Sequence, residues 1–432
     1  MNKHIVDSRA PKAPTRMVDL GINTTLLREI LLKTMLRRNL DSVVTIAGSL
    51  KVSVPIAQEL LEVARDYKQV ETLGASRHED LKNLRYALTQ MGRQTALDAL
   101  SQSEYFGAVP IPLEEYKRQT KLQSVRDATV SRAALQSAMS HLIINDQMFA
   151  QLGPAVNSPR SVLMYGPPGN GKSSIADGIR NAYTDHIYVP EFVEYAGNVI
   201  SLFDPLVHER VEEEAQDPTK LRLSNNNHDP RYIKCHRPTV ITGGELTLDM
   251  LDLNFNPVSK TYQAPLQMKS SGGVFIVDDL GRQKEPPQTL INRWIVPMEE
   301  GFDILTLQSG QKFIVPFDTK VMFSTNFAPA NIFDTAAMRR IYYKIYIGNP
   351  EQQDFIKIFL KTAERYPMEL DESVLTHLLQ NKYPTVDNQF AAFQPGFLLE
   401  HMMAACRFEN IEPHMSIKLV DDAWEHLFVP NA

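Results

Sequence analysis

The chain has 432 residues, is 43% hydrophobic and 22% charged, and carries a formal net charge of −6. That is the composition of an ordinary globular protein, and its mild acidity supplies no global basic field to draw it onto nucleic acid. No run approaches the ~18 apolar residues needed to span a bilayer, the N-terminus has no apolar core of signal-peptide length, and two distant cysteines, Cys235 and Cys406, have no metal-ligand spacing.

These features predict a cytoplasmic chain of about two to four domains. The charge is uneven, net +4 over residues 1–128 and net −10 over the remainder. Residues 1–23 read as an extended arm, because Pro11 and Pro14 among Arg9, Lys12 and Arg16 oppose a helix. Apolar residues at helical spacing (Leu26, Leu27, Ile30, Leu31, Met35) predict a helix from Thr24. A second, short helix is expected over Val43–Leu50, and a third follows Ser53, with Pro55 in its first turn. Two strand-like runs, Gln69–Leu73 and Leu84–Thr89, come next, and a helix from Arg93 to Ser103 closes the unit. Three helices and a β-ribbon are the layout of a winged helix, over residues 24–104. Such units often set the third helix in a DNA groove. Here that helix carries Glu59, Glu62 and Asp66 against Arg65 and Lys68, whereas phosphate contacts demand a surplus of Lys/Arg. Protein docking or a structural role therefore competes with DNA binding. The ribbon loop, Arg77–Lys82, is mixed in sign.

Residues 105–128 read as a linker, broken by Gly107, Pro110 and Pro112, with a short helix over Leu113–Leu122. A helical lead-in follows, ending at Gly153-Pro154 and Ser158-Pro159. The apolar run Ser161–Tyr165 then reads as a buried strand. It leads into Gly166, Pro167, Pro168, Gly169, Asn170, Gly171, Lys172 and Ser173, with Ser174 next, which fits G-x-x-x-x-G-K-[ST], the phosphate-binding loop. Glycines let the backbone N–H groups turn inward as an anion nest, and the helix that starts there adds its positive end. In that loop Lys172 would reach the β- and γ-phosphates and the Ser173 hydroxyl would ligate Mg²⁺. Ile175 and Ile179, four apart, mark the buried face of the following helix.

Further on, His186–Pro190 reads as a strand and Val193–Phe203 as a hairpin turning at Ala-Gly-Asn. Residues 204–237, polar and charged, read as a surface insertion. A helix is expected over Glu245–Leu253 and a long polar loop over Asn254–Leu266. Within that loop, Phe255 and Tyr262 either meet a partner or pack in the core. Gly272–Val277 is an apolar strand ending in Asp278 and Asp279, about a hundred residues past the phosphate loop, as in a Walker B motif. Asp278 would hold Mg²⁺, and Asp279 would orient or deprotonate the attacking water. Another strand ends in Asn326, and Ala336–Ile341 contains Arg339 and Arg340. Four helices close the chain: Pro350–Tyr366, Glu372–Asn381, Phe397–Glu409 and Ile417–Phe428.

With these motifs in that order, residues 130–430 resemble the AAA+ ATPases. The resemblance implies an α/β fold, an AAA+ P-loop parallel sheet with a helical lid, over residues 129–348 and 349–432, preceded by the small winged-helix unit. It implies ATP and Mg²⁺ as cofactors, with catalytic roles for Lys172, Asp279, Asn326 as sensor 1, and Arg339 and Arg340 as the arginine finger. It also implies a homo-oligomeric ring, most simply a hexamer, acting on a protein partner. More closely, the chain resembles bacterial AAA+ proteins with an N-terminal winged helix, described as chaperone-like ATPases of Flp-type pilus assembly. Action on nucleic acid, and a nucleotide-gated scaffold with little turnover, are the alternatives. Two departures stand out. Asp279 occupies a position where the family usually has Glu, and Gly396 falls where the lid commonly carries a sensor-2 Arg.

Overall fold

The computed structural model describes residues 8–75, 84–212 and 228–428. The N-terminal segment, over its described part, is fastened to the chain's own body. Arg9 Nη1 donates to Asp185 Oδ2 (2.7 Å), Gln119 Nε2 donates to the Arg9 carbonyl (2.7 Å), and Asp229 N–H donates to the Pro11 carbonyl (2.8 Å). A 3-10 turn, Met17–Leu20, then buries Leu20.

Helices α1 (Thr24–Arg38), α2 (Val43–Leu50) and α3 (Val54–Asp66) follow. The cap of α1 is Asn23, whose Oδ1 accepts from Thr25 N–H at 2.8 Å. Strands β1 (Val70–Ala75) and β2 (Leu84–Leu88) pair antiparallel, and α4 (Gln90–Gln102) packs on α1. One apolar cluster, including Leu27, Ile30, Ile46, Ile56 and Leu60, joins these elements. The charged loop Arg77–Lys82 lies outside the described residues.

The stretch expected to be a linker is packed. Its β3 (Ile111–Pro112) pairs with a later strand, and α5 (Leu113–Leu122) buries Leu113 and Tyr116. Next come α6 (Arg132–Ala138) and α7 (Asp146–Asn157). The latter runs through Pro154 instead of ending there, and Asn157 Nδ2 donates back to the Gly153 carbonyl. After β4 (Val162–Tyr165) and α8 (Lys172–Asn181), β5 (His186–Pro190) lies outside the central sheet. Strands β6 (Phe192–Tyr195) and β7 (Asn198–Ser201) form the expected hairpin, with Ala196 (φ 50°) and Gly197 (φ 79°) both left-handed at the turn.

Strand β8 (Tyr232–His236) pairs antiparallel with β5, so the latter part of residues 204–237 is core, not surface insertion. Tyr232 and Cys235 are buried there, as is a bidentate ion pair in which Arg231 grips Asp229. A charged pair reads as surface in sequence, but mutual neutralisation lets both partners go inside. Residues 225–227 lie outside the described residues.

After β9 (Thr239–Thr242), the helix expected over Glu245–Leu253 shrinks to a 3-10 turn, Leu248–Leu251. Glu245 instead turns its carboxylate back to accept from Gly243 N–H, at 2.9 Å. The expected loop 254–266 contains β10 (Asn254–Asn256) and β11 (Thr261–Gln263), with Phe255 opposite Tyr262 and their rings 4.9 Å apart. Tyr262 is a core residue, and its hydroxyl accepts from Gln308 N–H. The remaining elements are α9 (Leu266–Lys269), β12 (Gly273–Val277), α10 (Pro287–Glu300), β13 (Phe302–Thr306), β14 (Lys312–Pro316), β15 (Thr319–Thr325), α11 (Thr335–Arg340) and β16 (Tyr343–Tyr346). Four lid helices end the chain: α12 (Gln352–Ala363), α13 (Glu372–His377, prolonged by a π turn over Leu378–Lys382), α14 (Gln394–Phe408) and α15 (Ile417–Leu427).

The central sheet is fully parallel, in the order β16-β4-β15-β12-β9. Two of its three inner strands, β12 and β15, are buried at every residue, as expected for a sheet covered by helices on both faces. This is an α/β fold, a parallel sheet that carries the phosphate loop and is joined to a helical lid, preceded by the three-helix and ribbon unit. A second five-stranded sheet, β10-β11-β7-β6-β3, gathers five short strands from three distant regions. Among the described residues no single helix is long and apolar enough to cross a membrane.

Candidate functional site

Because β4, β12 and β15 are parallel neighbours, their C-terminal ends share one edge of the sheet, where ligands of open α/β sheets bind. Each end delivers one part of the site. From β4 comes the phosphate loop, with Gly166 (φ 143°), Gly169 (φ 77°) and Gly171 (φ 83°) in conformations that favour glycine. The next helix, α8, buries Ile175 and Ile179, so its N-terminus is held at the loop.

Lys172 is 6% exposed, and its ammonium donates to the carbonyls of Gly166 (3.0 Å) and Pro167 (2.8 Å). Burial lowers its pKa, while Asp279 and Asp278 pull it back up. From β12 come the two carboxylates. Ser173 Oγ donates to Asp278 Oδ2 at 2.7 Å, which places the hydroxyl and carboxylate that would share a divalent cation side by side. Asp279 is left-handed, with φ 48°. Its Oδ1 accepts from Asn326 Nδ2 at 2.8 Å, at the end of β15. The turn behind it is fixed by Leu280 N–H donating to the Ser324 carbonyl (2.7 Å) and by Gln283, which donates to the carbonyls of Gly243 and Asp278.

A pocket of about 600 Å³ joins these groups, lined by Pro168–Ile175, Asp278, Asp279, Ser324 and Asn326. Its far wall is His141–Ile144, from the segment between α6 and α7, and its roof is the lid, through Ile358, Lys361, Thr362, Arg365, Ala392 and Phe393. An anion nest, a buried lysine, a Ser–Asp pair and a second carboxylate held by an amide fit a nucleoside triphosphate with a divalent cation.

Every residue predicted for the nucleotide and cation thus lines this pocket except Gly166 and Pro167, whose carbonyls accept from the Lys172 ammonium, while the two arginines stand apart. Arg339 is exposed and has no ion-pair partner among the described residues. Arg340 is engaged by Glu299 at 3.0 Å and donates Nη1 to the Ala336 carbonyl. Neither lines the pocket of its own chain. Gly396 lies in the first turn of α14, where a Cβ would meet only Thr362 Cγ2 at 4.0 Å. Sequence reasoning missed the lid residues Lys361 and Arg365, which bring cationic groups to the pocket from α12 and the turn that ends it. Their signal is visible only once α12 is seated over the loop.

A family described as a domain of unknown function, DUF8689, matches residues 351–426, the four lid helices. No curated protein matches the chain in sequence. Among solved structures, it is similar to NtrX from Brucella abortus in complex with ADP (TM-score 0.40, 13% identity, 76% of this chain covered) and in complex with ATP (TM-score 0.39, 13% identity, 79% covered). In both cases the chain spans 65% of the length of NtrX. Those likenesses are distant, and the fold rests on the strand order and the loop geometry.

Proposed function

We propose that this chain binds ATP with Mg²⁺ in the pocket at the edge of the parallel sheet and hydrolyses it within a ring of identical subunits, to remodel a protein partner. The observation that carries the reading is the convergence of two polar pairs, Ser173 with Asp278 and Asn326 with Asp279, on the mouth of the phosphate loop. In it, the loop and Lys172 bind the phosphates, while Ser173 and Asp278 hold the cation. Asp279, oriented by Asn326, takes the proton of the attacking water. The bound cation supplies charge neutralisation at the phosphates. An arginine from a neighbouring subunit completes the site. Of the two candidates Arg339 fits, because it is exposed and unpaired among the described residues, whereas Arg340 is held by Glu299.

This reading divides the chain into an arm (1–23), a winged-helix unit (24–104), a connecting segment (105–128), an ATPase core (129–348) and a lid (349–432). The winged helix serves as a docking unit for protein. The outward face of α3 presents Gln58, Glu59, Glu62, Arg65 and Asp66, and Glu59 accepts from the Met17 N–H of the arm (2.9 Å). Such an acid-rich face repels phosphates. Salt-sensitive binding of duplex DNA in a gel shift would reverse this part of the reading.

The test is phosphate release against protein concentration. Specific activity should rise with concentration as rings assemble. Arg339→Ala should lower it about 10³-fold or more, while Arg340→Ala, loosening α11 on α10, should cost less. Activity independent of concentration and of Arg339 sinks the shared-site mechanism, and ATP-dependent assembly without phosphate release favours a nucleotide-gated scaffold.

A further inference from the structure

The sensor-2 position is Gly396, yet the lid is seated directly on the phosphate loop. Three segments meet there. Asn170, 8% exposed within the loop, accepts at Oδ1 from the Ala392 N–H of the lid (3.1 Å). Through Nδ2 it donates to Asn349 Oδ1 at 2.8 Å. Asn349 lies in the connection between β16 and α12, which joins the sheet to the lid. Beside it, the Gly169 carbonyl accepts from Phe393 N–H (2.9 Å), and the Phe393 ring lies so close that a Cβ at Gly169 would stand 2.2 Å from Cδ1. The connection itself presses on the loop, since a Cβ at Gly166 would stand 2.1 Å from the Ile347 carbonyl oxygen.

We propose that Asn170 and Asn349 form a clasp that closes the lid over the phosphate loop, taking the place of the arginine that the lid lacks at Gly396. Asn349 is then a positioning residue. It does not line the pocket, but by fixing the Asn170 amide it presents Oδ1 to the lid backbone. Closure brings α12 over the pocket, with Lys361 donating to the Ser140 carbonyl beside the far wall and Arg365 facing the cavity. An arginine reports on the phosphates by its charge. An asparagine inside the loop reports on the loop's own conformation, so any ligand that reshapes the nest moves the lid.

The role in nucleotide retention rests on the nucleotide reading above, but the clasp does not, and two measurements separate them. The first is amide hydrogen exchange at Ala392 and Phe393 in nucleotide-free protein. Asn170→Ala and Asn349→Ala should each speed exchange there about fivefold, the effect of one hydrogen bond of ~1 kcal/mol. Asn349→Asp, which keeps the acceptor oxygen, should remain within about twofold of wild type by the same scale. The second is dissociation of a fluorescent ADP with Mg²⁺. Asn349→Ala should shorten retention about fivefold, and Asn349→Asp should restore it. Unchanged exchange at 392–393 in both alanine variants overturns the clasp, whatever the nucleotide does. Faster exchange with unchanged ADP release overturns its role in retention. Absence of ADP binding to wild type overturns the nucleotide reading and leaves the exchange result to decide the clasp.

Discussion

Asp279→Glu tests whether the short carboxylate is a defect or a fit. Glutamate is the residue usual at this position in the AAA+ ATPases that the chain resembles, and on that resemblance a restoring substitution would be expected to raise turnover. The geometry predicts the opposite. Residue 279 has φ 48°, a region in which Asp and Asn are several-fold enriched and longer side chains are disfavoured, a bias of about 0.5–1 kcal/mol. From that backbone the Asp279 carboxylate already meets Asn326 Nδ2 at 2.8 Å. One more methylene carries the carboxylate about 1.5 Å further, past its partner, at a loss of about 1 kcal/mol. Together these amount to about 1.5–2 kcal/mol, or a ten- to thirtyfold fall in kcat. Asp279→Asn keeps shape and backbone preference but removes the proposed base, and should fall about 10²–10⁴-fold with an unchanged melting temperature. The assay is phosphate release at saturating ATP and Mg²⁺ and fixed protein concentration, with thermal melts as the folding control. An Asp279→Glu enzyme as fast as wild type, or faster, refutes the reasoning.

Three further predictions concern stability. Buried His208 accepts at Nδ1 from Asp204 N–H and bonds the Lys269 carbonyl through Nε2, so it is neutral in the fold. Burial, against the raising pull of those backbone bonds, pushes its pKa down to about 4 from 6.5. Between those values the unfolded chain binds the extra proton, so stability present above pH 6.5 is lost as pH falls towards 4, by at most about 3 kcal/mol. Urea midpoints at pH 7 and 4.5 should differ less in His208→Gln than in wild type. Gly92→Ala, inside α4, should destabilise although alanine favours helices by about 1 kcal/mol. Its Cβ would stand 1.9 Å from the Gln69 carbonyl oxygen, and overpacking of that kind costs about 1–3 kcal/mol, which calorimetry can read. Lys320→Met should lower stability by about 2 kcal/mol or more in urea titration, since it strips the buried donor shared by the carbonyls of Ala155, Ser158 and Arg160.

The legibility of this chain followed how local each feature is. The phosphate loop and the Asp278–Asp279 strand end could be read because their chemistry lies in contiguous residues flanked by apolar runs. Lid helices could be read from periodicity, and Leu398, Leu399, Met402, Met403 and Cys406 on one of them are buried within the lid. Of the second sheet, only the β6–β7 hairpin could. The sheet's strands are two to four residues long, too short to show alternation, and β3 finds its partner β6 some eighty residues away. Arg231 and Asp229 misled for a different reason: each alone signals surface, and only their pairing permits burial. Asn170 carries no signal at all, because its partners are fixed by where the lid comes to rest.

That last point bears on which part of the molecule moves. The N-terminal unit shares its apolar cluster with Val199 and Phe192 of the second sheet, and Tyr105 meets Phe192 edge-on at 4.8 Å. Lys51 adds an ion pair to Glu191 (2.8 Å), and Glu104 N–H donates to the Ser259 carbonyl (2.9 Å). Separating it from the sheet would expose packed apolar surface, at about 25 cal/mol per Å². The lid differs. Its cluster, from Phe355 to Trp424, draws only on residues of the lid itself. Its polar ties to the core described above are the bonds of Asn170, Gly169 and Lys361, each worth about 1 kcal/mol. Opening the lid therefore costs a few hydrogen bonds, whereas moving the N-terminal unit costs part of a core. A change at the phosphate loop is accordingly transmitted to the lid, while the N-terminal unit travels with the second sheet as one piece.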